Sequence, residues 1–175
     1  MIFKPFSDNI IFFDAEFTNL DIRTGELISI GIVKMNGEEL YLELEYNEKP
    51  CDWVKENILP NLTNKKTPKK EAIKKIKKFV GPNKPYAVAY VNQFDMAFFY
   101  KLIPQIDSPF LWLPIDFASV LFALGINPEI MTKSRTELYK KLNIDYKKYE
   151  KHNALEDAKL LKEVYLGLIK NEKNI

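Results

Sequence analysis

The chain has 175 residues, with 26 Lys+Arg against 24 Asp+Glu, a formal net charge of +2, one His and one Cys. With 46% hydrophobic and 29% charged residues it falls in the globular range rather than the disordered one, and its length suits one domain over 1–175 with a substantial core. Lone Cys51 excludes an intramolecular disulfide framework and a multi-cysteine zinc site, and no apolar run approaches the ~20 residues that span a bilayer.

The N-terminal MIFKPFSDNIIFF is broken by Ser7, Asp8 and Asn9 and does not read as a signal peptide, so a soluble cytoplasmic protein without membrane contact is expected. Residues 10–16 (IIFFDAE) predict a buried strand, a short apolar run ending in polar residues. Residues 27–35 and 39–46 predict two more strands, joined at Asn36-Gly37, a strong hairpin signal. The third alternates, with Leu40, Leu42 and Leu44 on one face and Tyr41, Glu43 and Glu45 on the other, the pattern of a half-buried antiparallel strand.

The period then changes. Trp53 to Leu59 predicts a short helix stopped by Pro60. Thr67 as cap and Pro68 in the first turn predict a helix to Val80, closed by Gly81. Its apolar positions Ala72, Ile73, Ile76, Phe79 and Val80 have helical spacing. Lysines fill the other side: eight of them, against one acid, lie between Lys65 and Lys78, a pattern of a solvated face or of a nucleic-acid track. Residues 86–91 (YAVAYV) predict a central strand, and helices follow at about 94–103, 117–124 and 135–142. Asp116 caps and Gly125 stops the second of these; Ser134 and Glu137 form a capping box for the third. A last helix covers about 154–170. This order predicts an α/β layered domain, a mixed sheet with antiparallel strands 1–3 plus a parallel strand, flanked by helices.

Three groups of polar residues carry chemistry. Asp14 and Glu16 stand two apart at the C-terminal end of the first strand, so both side chains leave from one face. Such a pair repels unless a cation lies between, and hard oxygen donors suit Mg²⁺ or Mn²⁺; alone, it also reads as two solvated charges. Asp95 follows the YAVAYV strand at a strand-to-helix turn, where a helix cap is the plainer alternative. In His152-Asn153-Ala154-Leu155-Glu156-Asp157-Ala158, Asn153 and Glu156 read as an N-cap and its third-position acid. Five residues of helix turn through about 500°, so His152 meets Asp157 only from the loop before the helix.

Taken together and in this order, D-x-E on a first strand, Asp after a central strand and H-x-A-x-x-D-A opening the last helix resemble the DEDDh group of 3′→5′ exonucleases. That superfamily includes the proofreading subunit of bacterial DNA polymerase III, RNase T and oligoribonuclease. The resemblance spans residues 14–158 and implies a ribonuclease-H-like fold with Asp14, Glu16, Asp95 and Asp157 as metal ligands and His152 as general base. FFDAEF, GELISIGIVKMNGEELYLE, WVKENILPNL and YAVAYVNQFD are similar to small stand-alone exoribonucleases of the adenylate-specific RNase AS group. This narrower resemblance implies single-stranded RNA 3′ ends as substrate, adenylate tails among them, two divalent ions (Mg²⁺ or Mn²⁺) and a homodimer. Single-stranded DNA is the alternative substrate, and a non-catalytic nucleic-acid-binding module is the third reading.

Many relatives follow D-x-E with Thr-Thr-Gly-Leu; here Phe17-Thr18-Asn19-Leu20 stands there. Thr18 is expected to touch the terminal 3′-hydroxyl, while Asn19 in place of Gly weighs against Leu20 as a wedge between bases. Glu16, Phe17, Thr18, Asn92 and His152 are the expected substrate contacts, with Phe17 favoured over Tyr90, Phe94 and Phe98 for stacking on a base. Val91 stands where many relatives have His. By residue type, two ions about 3.5–4 Å apart would clamp an in-line displacement. Asp14 would bridge them, Glu16 and Asp157 would complete one site and Asp95 would support the other. His152, with a reference pKa near 6.5, can take a proton from the attacking water.

Overall fold

A computed structural model describes residues 4–131 and 135–170. Its strands are β1 (Ile10–Phe17), β2 (Leu27–Lys34), β3 (Glu39–Leu44), β4 (Lys66–Thr67), β5 (Tyr86–Ala89) and β6 (Ile115–Asp116). Its helices are α1 (Asp52–Asn57), α2 (Lys69–Val80), α3 (Gln93–Leu102), α4 (Phe117–Ala123), α5 (Arg135–Lys141) and α6 (Ala154–Lys170). The strands form one mixed sheet in the order β4-β3-β2-β1-β5-β6. The pairs β1–β2 and β2–β3 are antiparallel, while β1–β5, β3–β4 and β5–β6 are parallel. Among the described residues no helix is long and apolar enough to cross a membrane.

The unbroken apolar run of β1 has a simple cause: both of its faces are covered. Ile11, Phe13 and Ala15 join Ile30, Ile32, Leu42 and Leu44 against α2 and α3. Ile10 and Phe12 join Val33 and Val88 against α4, α5 and α6. Phe12 and Phe13 are both fully buried, each stabilising the fold by about 1.5–3 kcal/mol of transfer free energy. Gly37, at φ 95°, makes the β2–β3 turn that Asn36-Gly37 predicts, and Lys34 N–H donates to the Glu38 carbonyl at 2.9 Å.

Several local expectations change. Thr67 is not the cap of α2: its carbonyl accepts from Glu45 N–H at 3.1 Å and it pairs with Leu44, so the sheet edge claims it and Pro68 takes the cap position. Pro60 does not end the helical segment, because α1 is followed by a 3-10 turn over Leu59–Asn61 in which Pro60 is an early residue. The parallel strand ends at Ala89, with Tyr90 and Val91 already in the turn. Glu43 is not on a solvated face but only 3% exposed, its Oε1 accepting from Thr63 N–H at 2.5 Å. Ala72, Ile76 and Val80 are the buried face of α2 and Lys74, Lys75, Lys77 and Lys78 its exposed one. Asp116 caps α4 as expected, accepting from Ser119 N–H at 3.0 Å, and Gly125 (φ 74°) follows its end. The expected cap Ser134 lies outside the described residues.

One contact sets the geometry of everything that follows. Gly31 of β2 pairs directly with Asp14 of β1, and a Cβ at Gly31 would overlap the Ala154 carbonyl and the Leu155 Cα. Glycine therefore lets the start of α6 rest on the sheet backbone beside Asp14.

Candidate active site

The site is built where β1, α3 and α6 meet. Asp14 and Glu16 sit opposite Gly31 and Ser29, on the face that α6 covers, as the two-residue spacing requires. Beyond Phe12 the β1–β5 ladder stops, which leaves Ala15 N–H without a strand partner on that side. Asp95 fills the gap: its Oδ1 accepts from Ala15 N–H at 3.0 Å. Asp95 is thus not a helix cap but a buried residue (5% exposed) inside the first turn of α3, fastened between the two β1 acids. The turn that delivers it is strained, for Val91 holds φ 58°, an outlier for a β-branched residue. Asn92 N–H donates to Asp116 Oδ1 at 3.2 Å, which pins the far side of that turn.

The last helix starts as its sequence predicts. Asn153 Oδ1 accepts from Leu155 N–H at 3.1 Å and from Glu156 N–H at 3.4 Å. Glu156 pairs forward with Lys159 at 3.0 Å. His152 precedes the cap at φ 62°, and its backbone N–H donates to Asp157 Oδ2 at 3.0 Å. One carboxylate thereby fixes the left-handed turn and brings the imidazole back over the sheet. Glu16, His152 and Asp157 offer ligand atoms that all lie within 4.8 Å of one another.

Burial and crowding leave these acids poorly disposed to ionise. Burial pushes Glu16 up to about 8, reinforced by Asp157 and Asp95. Burial likewise raises Asp95 to about 8 against the lowering effect of its backbone hydrogen bonds, with Asp116 adding to the rise. Asp14 moves well above the ordinary range through burial and then through Asp95, Asp157 and Glu16. A set of mutually repelling, partly buried carboxyls with an imidazole beside them fits hard divalent cations, which would restore the charged forms.

Asp14, Glu16, Asp95, His152 and Asp157 all line one cavity of about 400 Å³, together with Phe17, Leu20, Tyr90, Val91 and Phe94. All five residues that the sequence singles out for chemistry therefore converge. The expected substrate contacts divide. Glu16, Phe17 and His152 face the cavity, whereas Thr18 and Asn92 are outside its lining. Thr18 is wholly buried, and its Oγ1 accepts from Glu26 N–H at 3.0 Å. Leu20 takes the exposed place instead, 63% open and on the cavity wall. Asn19 does not prevent this, because its Oδ1 accepts from Asp21 N–H at 2.8 Å and forms an Asx-type turn that leaves Leu20 outside. Phe17 stacks on buried Phe98 (centroids 4.2 Å apart, planes at 21°), so one of its ring faces is already covered. Sequence reasoning missed Trp53, whose ring meets that of His152 at 5.1 Å, and Asp116, whose charge acts on Asp95. No spacing pattern links either to the site.

The sequence profile described as Exonuclease matches residues 11–165. The chain belongs to this exonuclease family, and its four acids and histidine follow the DEDDh pattern. No curated protein gives a significant match. Among solved structures the chain is similar to E. coli exonuclease I in its zinc-bound complex with single-stranded DNA: 13% identity, TM-score 0.64, 94% of this chain and 40% of that one. It is also similar to the complexes of the same enzyme with a dT13 oligonucleotide (14%, 0.65, 94% and 41%) and a dA16 oligonucleotide (14%, 0.65, 94% and 41%). The chain thus spans about two fifths of the length of those proteins. The likeness is one of fold, and the mixed six-stranded sheet flanked by helices is the ribonuclease-H-like fold of exonucleases.

Proposed function

We propose that the protein is a divalent-metal-dependent 3′→5′ exoribonuclease of the RNase AS type. It would release nucleoside 5′-monophosphates from single-stranded RNA ends, adenylate tails among them, and work as a cytoplasmic homodimer. The observation that carries the reading is the convergence of Asp14, Glu16, Asp95, Asp157 and His152 on one cavity. Family membership supports hydrolysis of nucleic acid, and the likeness of FFDAEF, WVKENILPNL and YAVAYVNQFD to the RNase AS group supports RNA.

Asp14, Glu16 and Asp157 would hold one cation, and Asp95 would support a second. When bound, such a pair supplies charge stabilisation to the attacking and leaving oxygens of an in-line displacement. His152 takes the proton of the attacking water as the new O–P bond forms. As the bond from phosphorus to the 3′ oxygen breaks, that oxygen takes a proton from solvent water, leaving a shortened chain with a 3′-hydroxyl, and His152 returns its proton to solvent. General-base help of this kind contributes typically ~10²–10⁴-fold. The open wall at Leu20, Tyr90 and Phe94 offers apolar and aromatic surface to the bases next to the scissile bond.

Single-stranded DNA is the second reading, favoured by the DNA oligonucleotides in the E. coli exonuclease I complexes. Digestion of RNA and DNA oligomers carrying 3′ tails of each base, with Mg²⁺ or Mn²⁺, separates the two. RNA shortened faster than DNA, and A-tails fastest, is expected. DNA degraded faster overturns the substrate class, and equal rates on all RNA tails remove the adenylate preference. Light scattering on the purified protein tests the dimer.

A further inference from the structure

The short helix α1 is fastened to both ends of the site. Val54 and Ile58 pack on fully buried Ile28, and Cys51 N–H donates to the Thr18 carbonyl at the end of β1 at 2.9 Å. Asn57 Nδ2 donates back to the Trp53 carbonyl at 2.8 Å, closing the helix. From the following 3-10 turn, Asn61 Nδ2 reaches the carbonyl of Lys151, next to His152, at 3.1 Å. Thr63 N–H ends the segment on buried Glu43 at 2.5 Å. This otherwise unexplained acid of β3 thus anchors α1 and its turn over the loop that carries His152.

Between those anchors stands Trp53. The residue is 52% exposed, large and apolar on a six-residue helix, and does not line the cavity. Among the described residues its ring meets that of His152, with centroids 5.1 Å apart and planes at 84°, an edge-on arrangement that aromatic quadrupoles favour. A ring nitrogen of the same imidazole also lies within 4.8 Å of a carboxylate oxygen of Glu16 and of Asp157. The imidazole is therefore in contact with both the indole and the carboxylate cluster, while its backbone is set by the bond to Asp157.

We infer that Trp53 is a positioning residue for His152: the indole blocks the rotamers that swing the imidazole out of the cavity. The inference rests on the proposed role of His152 as base, and it adds the residue that keeps that base aimed. An aromatic pair of this geometry shifts an equilibrium roughly two- to tenfold, so loss of Trp53 lowers the fraction of correctly aimed imidazole by about that factor.

The test is a double-mutant cycle on turnover of a saturating single-stranded oligomer with Mn²⁺, using whichever of RNA or DNA the wild-type chain degrades. Expected for W53A is a kcat reduced roughly two- to tenfold with KM within about twofold of wild type. W53F recovers most of the loss, and W53A in an H152A background is no slower than H152A alone. Thermal melts of W53A and W53F verify that both are folded. A W53A effect that persists undiminished in the H152A background overturns the inference, as does a KM that rises while kcat holds, the mark of a ring that binds a base directly. Wild-type kcat for both W53A and W53F also overturns it. Those failures leave His152 as base untouched, whereas near-normal turnover of H152A by itself removes that base and this inference with it.

Discussion

Replacing Gly31 by Ala is the sharpest probe of how the fold holds the site together. The added Cβ would fall inside 3.0 Å of the Ala154 carbonyl oxygen and carbon and the Leu155 Cα, where ordinary contacts begin at 3.4 Å. All three obstacles are backbone atoms, so no side chain can turn away and the start of α6 must lift from β2. Overpacking of this kind costs about 1–3 kcal/mol. For a domain of this size that amounts to a fall in Tm of roughly 2–12 °C. Activity suffers more, because the lifted segment carries His152 and Asp157 while Asp14 and Glu16 stay on β1. A displacement of about 1 Å in such a constellation costs on the order of 10²-fold in rate. Thermal melting and initial rates on one oligomer measure both effects. Gly167, in the same helix, is the control: the nearest atoms to a Cβ there belong to the Leu142 side chain, at 3.2 Å and beyond, and can shift, so Gly167→Ala should change Tm much less than Gly31→Ala and keep wild-type turnover. Gly31→Ala with wild-type Tm and turnover would show that α6 does not owe its seat to that glycine.

Asp95→Asn keeps an acceptor for Ala15 N–H but removes a carboxyl pushed up to about 8, so at pH 8 without metal its Tm matches or exceeds wild type, while its divalent-ion affinity by calorimetry drops at least roughly tenfold. A metal-free Tm well below wild type would contradict this. Glu16 rises from 4.5 to about 8 and Asp95 from 3.8 to about 8, so from pH 5 to 8 the folded chain keeps protons that the unfolded chain has released. Stability without metal is therefore greatest near pH 5 and is lost toward pH 8, and added Mn²⁺ restores more at pH 8 than at pH 5; a metal-free Tm flat or rising over that window refutes it. Glu26, held at about 2 by Lys69 and the backbone N–H groups of Asn47 and Glu48, acts only below this window. Val91→Gly removes the strain at φ 58° and should raise stability by about 1 kcal/mol in denaturant titration, whereas a loss of stability would mean the turn is not strained.

The features legible in the sequence are those with local causes. The β1 run, the Asn36-Gly37 hairpin and the Asn153 cap before Asp157 each depend on residues a few positions apart, and each stands where expected. The chemistry was legible because ligand residues recur at strand and helix ends. What escaped depends on distant partners. Strands β4 and β6 have two residues each and exist only through β3 and β5. Thr67 has good cap chemistry but the sheet edge takes it, and Glu43 sits on the nominally polar face of β3 yet is buried under Thr63. Thr18 lies outside the cavity lining because its hydroxyl is engaged by Glu26 N–H, while the turn at Asn19 leaves Leu20 exposed on the cavity wall. Trp53 reaches His152 across about a hundred residues of chain, a contact set by docking of α1 and outside the range of helical or strand spacing.

The central claim is that the cavity lined by Asp14, Glu16, Asp95, His152 and Asp157 is a metal-dependent exonuclease site acting from the 3′ end. The most direct measurement follows a 5′-labelled single-stranded RNA incubated with the protein and Mn²⁺, with and without EDTA, on a sequencing gel and by product chromatography. A ladder shortening one nucleotide at a time from the 3′ end, with 5′-monophosphates released and all cleavage abolished by EDTA, is the predicted result. Internal cuts, cleavage that survives EDTA, or no cleavage of RNA or of the matching DNA would contradict it.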